Sequence, residues 1–131
     1  MQTTKCRILC VDDHDDTSFM LSHLLEQSNY EVETTNNLDD ALRLARTRGF
    51  DLYVLDKRFP GGTGLELCER LNYITPDIPV IFYSGDAYET HRQEGLRAGA
   101  QAYVPKPCID ELIDTVHQLL SQRECATALS Y

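Results

Sequence analysis

The sequence predicts an α/β domain, doubly wound, with a five-stranded parallel sheet and helices on both faces. Three observations carry this. Short runs such as Ile8-Leu9-Cys10-Val11, Leu52-Tyr53-Val54-Leu55 and Val80-Ile81-Phe82-Tyr83 are apolar at every position, as in strands buried on both faces. An amphipathic stretch of helical period follows each run. The strand-then-helix unit recurs five times, and right-handed crossovers then place helices on both sides of the sheet.

The first strand covers residues 8–11 and ends abruptly at Asp12-Asp13. A helix over 15–28 follows, with Asp15 or Asp16 as cap and Phe19, Met20 and Leu24 at helical spacing. Tyr30, Val32 and Thr34 alternate like a half-buried edge strand. Asn37 opens a second helix with Leu38, Ala41, Leu42 and Ala45 on one face, and Gly49 is its expected stop. The strand over 52–55 ends at Asp56. Pro60-Gly61-Gly62 then makes a loop, and Thr63 caps a helix running to about Tyr73. The strand over 80–83 ends at Ser84-Gly85. A weaker helix spans 87–98, because Gly95 inside it costs about 1 kcal/mol relative to Ala, and Gly99 ends it. Residues 102–104 form the last strand, before Lys106-Pro107. Ile109, Leu112, Ile113, Val116, Leu119 and Leu120 mark the cleanest amphipathic helix.

A length of 131 residues fits one domain, expected over residues 1–122, with 123–131 as a C-terminal tail. No apolar run approaches the roughly 20 residues of a membrane span. The formal charge of −9 and pI near 4.7 argue against direct nucleic acid binding, which needs clustered Lys and Arg. The five cysteines are scattered and form no CxxC pair. The apolar stretch after Met1 to Arg7 is too short for a signal peptide, so a reduced, cytoplasmic protein is expected.

Ligands of such sheets bind outside the carboxyl ends of the strands. Four of the five strand ends carry a chemically capable group: Asp12 and Asp13, Asp56, Ser84 and Lys106. Three carboxylates converging on one cleft resist joint ionisation. A hard divalent cation relieves this, and Mg²⁺ commonly takes one or two carboxylates, completing its shell with water and phosphate oxygens. Lys106 adds a point charge for a phosphoryl oxygen, and Ser84 adds a hydroxyl. A single Asp at a strand end is more often a turn or cap residue. The weight lies in the joint occurrence. The four histidines, His14, His23, His91 and His117, show no metal spacing and are read as surface or helix residues.

Val11-Asp12-Asp13, Val54-Leu55-Asp56, Pro60, Gly64-Leu65-Glu66, Ser84-Gly85 and Lys106-Pro107 together resemble the receiver domain of bacterial-type two-component response regulators, from about Lys5 to Gln122. The resemblance implies a flavodoxin-like strand order 2-1-3-4-5 and an aspartyl-phosphate switch. Asp56 is the implied phosphoacceptor, served by a sensor histidine kinase or a histidine phosphotransfer protein. The implied cofactor is Mg²⁺ (or Mn²⁺), bound directly by Asp13 and Asp56, by Asp12 through water, and by the backbone carbonyl of Arg58. Lys106 and Ser84 contact the phosphoryl group, Tyr103 follows Ser84, and Lys106-Pro107 is a cis peptide. Output is implied through the fourth helix, fifth strand and fifth helix (α4-β5-α5), with Tyr88, His91 and Arg92 near that face. It reaches a downstream protein or effector domain, from a monomer or a phosphorylation-dependent dimer. No enzymatic activity is implied beyond the domain's own phosphorylation and dephosphorylation.

Several positions depart from the commonest pattern. Ser84 stands where Thr is more usual, Gly85 where Ala is common, and Lys57 is charged where relatives are often apolar. Arg58 and Asp86, two residues beyond Asp56 and Ser84, are expected to pair over the site. Competing readings are a Mg²⁺-dependent phosphatase with an aspartyl nucleophile, a flavodoxin-like cofactor binder, and a degenerate receiver that only docks. The first lacks an acid two residues beyond Asp56. The second lacks a Gly/Ser/Thr-rich loop after the first strand. The complete acidic set opposes the third.

Overall fold

The computed structural model describes residues 5–85 and 89–122. The order is β1 (Arg7–Val11), α1 (Asp15–Gln27), β2 (Glu31–Thr35), α2 (Leu38–Thr47), β3 (Leu52–Leu55), α3 (Gly64–Ile74), β4 (Val80–Ser84), α4 (Glu89–Arg97), β5 (Ala102–Pro105) and α5 (Ile109–Ser121). A two-residue hairpin pairs Arg58–Phe59 with Gly62–Thr63 between β3 and α3. The five main strands are all parallel, in the order β2-β1-β3-β4-β5. This is the expected doubly wound arrangement.

Strand alternation divides the core in two. Ile8, Cys10, Leu52, Val54, Ile81, Tyr83 and Val104 face α1 and α5, meeting Leu21, Leu25, Leu112, Val116 and Leu120. Leu9, Val11, Tyr53, Leu55, Val80, Phe82 and Tyr103 face the other way, onto α2 and α3 residues such as Leu42, Leu67 and Leu71. Burial on both sides explains why β1, β3 and β4 read as unbroken apolar runs. Burial lifts the free Cys10 and Cys68 thiols to about 12, so both act as small apolar groups. Cys6, in contrast, is disulfide-bonded, which corrects the expectation of wholly reduced cysteines. Scattered spacing along a chain does not reveal which thiols meet in space. Among the described residues no helix is long and apolar enough to cross a membrane.

Two capping expectations hold. The Asn37 side chain accepts from the Asp40 N–H at 2.8 Å, and Thr63 accepts from the Glu66 N–H at 3.1 Å. Three local expectations fail. His14, not Asp15 or Asp16, occupies the cap position of α1 and makes no side-chain cap bond. The two acids lie in the first turn instead, where they favour the helix dipole. The buried stripe of α1 is Leu21 and Leu25, while Phe19 is 77% exposed and Met20 also faces solvent. Residues four apart share a helix face, and Phe19 and Met20 fall just off that row. Gly49 does not cap α2, which ends at Thr47 with Arg48 extended at φ −132°. Gly99, at φ +111°, closes α4 as expected. The helix start at Ala87 and the tail 123–131 lie outside the described residues.

Gly95, which weakens α4 intrinsically, is required by packing. A Cβ there would sit 2.9 Å from Phe82 Cδ2 and 3.1 Å from Tyr103 Cδ2, on two buried rings. Gly95→Ala gains about 1 kcal/mol of helix propensity but overpacks the α4–sheet seam. The expected outcome is a net loss of about 1 kcal/mol in urea unfolding. A stabilised variant would show that the seam has slack.

Candidate functional site at the carboxyl edge of the sheet

Strand register brings the polar strand ends together. Val11 lies opposite both Thr35 and Leu55, so Asp12 and Asp56 leave adjacent strands side by side. Their N–H groups continue the ladder, donating to the carbonyls of Thr35 and Val11. Ser84 lies opposite Pro105, and the Lys106 N–H donates to the Ser84 carbonyl at 2.8 Å. The Lys106-Pro107 peptide is cis, as the resemblance implied. Most of the described polar residues buried in this domain stand here: Asp12, Thr35, Asp56, Lys57 and Ser84, with Asp51 at the opposite edge. Polar groups survive burial only with partners, so this edge is built for interaction.

The charges are tightly gathered. Lys106 Nζ donates to Asp12 Oδ2 at 2.8 Å and lies 3.3 Å from Asp56 Oδ2. The Lys57 N–H donates to Asp56 Oδ1 at 2.7 Å. Asp12, Asp13, His14 and Asp56 each offer one ligand atom, all within 4.8 Å of one another. Three carboxylates face one ammonium, and like charges about 4 Å apart repel by roughly 4 kcal/mol at an effective dielectric near 20. Such a donor set fits a divalent cation of the Mg²⁺ class, which prefers oxygen ligands. A cavity of about 270 Å³ opens above it, lined by Asp13, Asp56, Arg58, Ser84 and Lys106 among others. A cleft of about 340 Å³ at the opposite edge involves Arg7, Glu31 and Glu33, which already pair with one another.

Local packing holds Asp56 in place. A Cβ on Gly64 would lie 2.0 Å from the Asp56 carbonyl oxygen, so only glycine lets α3 start against this loop. The Gly64 N–H donates to the Lys57 carbonyl at 2.7 Å. Ser84 is buried at the end of β4. Tyr103 is buried on the α4 side, its ring 5.8 Å from that of Phe82. Among the described residues, a Cβ at Gly85 would meet nothing within 4 Å. Asp86, the expected partner of Arg58, and Tyr88 lie outside the described residues.

Two site residues were not legible as such. His14 is solvent-exposed as expected, yet its Nδ1 also lies 3.0 Å from Asp12 Oδ1, 3.2 Å from Asp13 Oδ1 and 3.8 Å from Asp56 Oδ2. Its adjacency to the acidic pair was the available signal. Lys57 is buried, and its Nζ lies 3.2 Å from both Glu94 Oε1 and His91 Nδ1 on α4. The Lys57 hydrogen bond, and then its charge, hold the Glu94 carboxyl below its ordinary range. This link spans 37 residues of chain, beyond any local pattern.

The comparisons with known proteins agree with this geometry. The family model described as "Response regulator receiver domain" matches residues 8–117, and the chain belongs to that family. It is 34% identical over 121 residues to the two-component response regulator ARR14 of Arabidopsis thaliana, covering 91% of this chain and 32% of that protein. It is 37% identical over 103 residues to the phosphate regulon transcriptional regulatory protein PhoB of Rhizobium meliloti, covering 77% of this chain and 45% of that protein. The chain thus spans about a third to a half of these relatives. Among solved structures, the BeF3-activated DrrB receiver domain superposes with a TM-score of 0.83 at 28% identity, over 90% of this chain and 99% of that one. The Thermotoga maritima response regulator TrrA in complex with Mg(2+)-BeF gives 0.79 at 33% identity, over 88% and 99%. The chain is a phosphorylation-dependent signal receiver domain.

Burial works against the Lys106 ammonium, but hydrogen bonding and charge from Asp12, with Asp56, outweigh it and raise its pKa above 10.5. A raised pKa means the ammonium contributes in full below the unfolded value and is lost as pH rises through the folded one. The stability advantage of wild type over Lys106→Met is therefore constant at neutral pH and shrinks above about pH 10.5. Paired urea titrations from about pH 9 to pH 12 check this. A gap that stays flat across that range would contradict the pairing.

Proposed function

We propose that Asp56 is the phosphoacceptor of this receiver, taking a phosphoryl group from a phosphohistidine on a sensor histidine kinase or histidine phosphotransfer protein. An Asp56 carboxylate oxygen attacks phosphorus, the P–N bond breaks, and the imidazole leaves with the electron pair. The observation that carries this reading is the Asp56 carboxylate itself. It is nearly buried at the cavity floor, 3.3 Å from the Lys106 ammonium and beside two further acids. Phosphoryl transfer needs positioning and dispersed positive charge more than a proton acceptor.

In this reading Asp13 and Asp56 hold Mg²⁺ (or Mn²⁺) directly, Asp12 through water, and the Arg58 carbonyl adds a ligand. The cation, when bound, neutralises charge on the transferring oxygens. Lys106 exchanges part of its contact with Asp12 and Asp56 for a phosphoryl oxygen. Ser84 donates its hydroxyl to another. Tyr103, packed between Phe82 and Gly95, follows Ser84 and passes the change to α4, β5 and α5. Phosphorylation biases this face toward one arrangement, and a near-complete switch needs about 5.5 kcal/mol of differential stabilisation. The face then controls a partner protein or an attached output domain from a cytoplasmic location. The domain catalyses only its own phosphorylation and dephosphorylation. Direct nucleic acid contact is no part of this role, given the net charge of −9.

Incubation with a small phosphodonor and Mg²⁺, followed by mapping of the modified residue, is expected to find one alkali- and hydroxylamine-labile phosphoryl group on Asp56. Chelation of the metal, or Asp56→Asn, is expected to abolish it. Undiminished incorporation into Asp56→Asn would overturn the assignment.

A further inference from the structure

We propose that His14 is a further protein ligand of the cation at this edge, turning an all-oxygen site into a mixed one that favours later first-row divalent ions over Mg²⁺. The inference rests on the reading of Asp13 and Asp56 as metal ligands. Its own support is the placement of the imidazole. Nδ1 lies within 3.0 to 3.8 Å of an oxygen of Asp12, Asp13 and Asp56, and the four candidate donor atoms lie within 4.8 Å of one another.

The position of His14 in the chain points the same way. It stands at the cap of α1, a place that favours Ser, Thr, Asp or Asn, yet its side chain makes no cap bond. The backbone is pinned, with the His14 N–H donating to Asp12 Oδ1 at 2.9 Å. The side chain is 65% exposed, so the ring can adjust over the acids without disturbing the core. The other histidines are engaged elsewhere: His117 with Tyr30, His23 with Gln27, and His91 with Lys57 and Glu94. Among the described residues, this is the one cluster of metal-ligating groups.

Donor chemistry sets the consequence. Mg²⁺ prefers oxygen ligands and gives up water reluctantly, so an imidazole adds little to its binding. Nitrogen donors suit Ni²⁺, Zn²⁺ and their neighbours, whose affinities rise across the first row. A neutral imidazole protonated at Nε2 offers Nδ1 to the ion in place of its contact with Asp12. His14 thus acts on which cation occupies the site.

The test is calorimetric titration of wild type, His14→Ala and Asp13→Asn with Mg²⁺ and with Ni²⁺, joined to pulsed electron paramagnetic resonance of bound Mn²⁺. The expected result is that His14→Ala loses about tenfold or more in Ni²⁺ affinity, with Mg²⁺ affinity changed less than about twofold. Wild type shows a histidine nitrogen coupled to Mn²⁺, and the variant lacks it. Absence of that coupling in wild type, or an equal change for both ions, would overturn the proposal and leave His14 as a counter-charge alone. If no ion binds wild type in an Asp13-dependent way, the underlying metal reading falls, and this inference with it.

Discussion

Three carboxylates held at one edge of a parallel sheet by a single ammonium are the constraint on which the rest of this domain depends. Asp12, Asp13 and Asp56 repel one another, and Lys106 offsets only part of that repulsion. The fold imposes the crowding. Parallel register places Asp12 and Asp56 one residue beyond paired positions on adjacent strands, and cores on both faces prevent those strands from sliding. A cluster that would separate in an unfolded chain is thereby kept ready for added positive charge. Preorganised charge of this kind reduces the reorganisation that a developing charge otherwise costs.

The same edge connects to the helices that would carry a signal outward. Gly64 starts α3 directly against the Asp56 carbonyl, while Gly95 lets α4 lie close on Phe82 and Tyr103. Lys57, next to Asp56 in the chain, reaches α4 through Glu94 and His91. The backbone approach at Gly64 ties the acidic cavity to α3, while the aromatic stack and the buried Lys57 ammonium reach α4. A rearrangement at Ser84 or Lys57 has a short physical route to α4.

Much of this was readable in the sequence, and what was missed has a common cause. The apolar runs of β1, β3 and β4 announced a doubly buried sheet, because such strands leave no face for polar residues. The strand-end rule places Asp12, Asp13, Asp56, Ser84 and Lys106 at one edge from the sequence alone. The caps at Asn37 and Thr63 were legible because their chemistry is local. The stripe of α1 was misread because Phe19 and Met20 are large and apolar yet fall off the row of Leu21 and Leu25. Lys57 and His14 were underestimated for a different reason. The Lys57 partners lie on a distant helix, and the imidazole of His14 turns toward Asp56, a residue that adjacency in sequence does not bring near.

The central claim is most directly tested by a crystal structure of the protein grown with Mg²⁺ and beryllofluoride, a mimic of the acyl phosphate. The account predicts beryllofluoride bonded to an Asp56 carboxylate oxygen, a cation beside Asp13, and Lys106 Nζ in contact with a fluorine. Beryllofluoride absent from Asp56 under saturating conditions, or a cation bound away from the acidic trio, would contradict it.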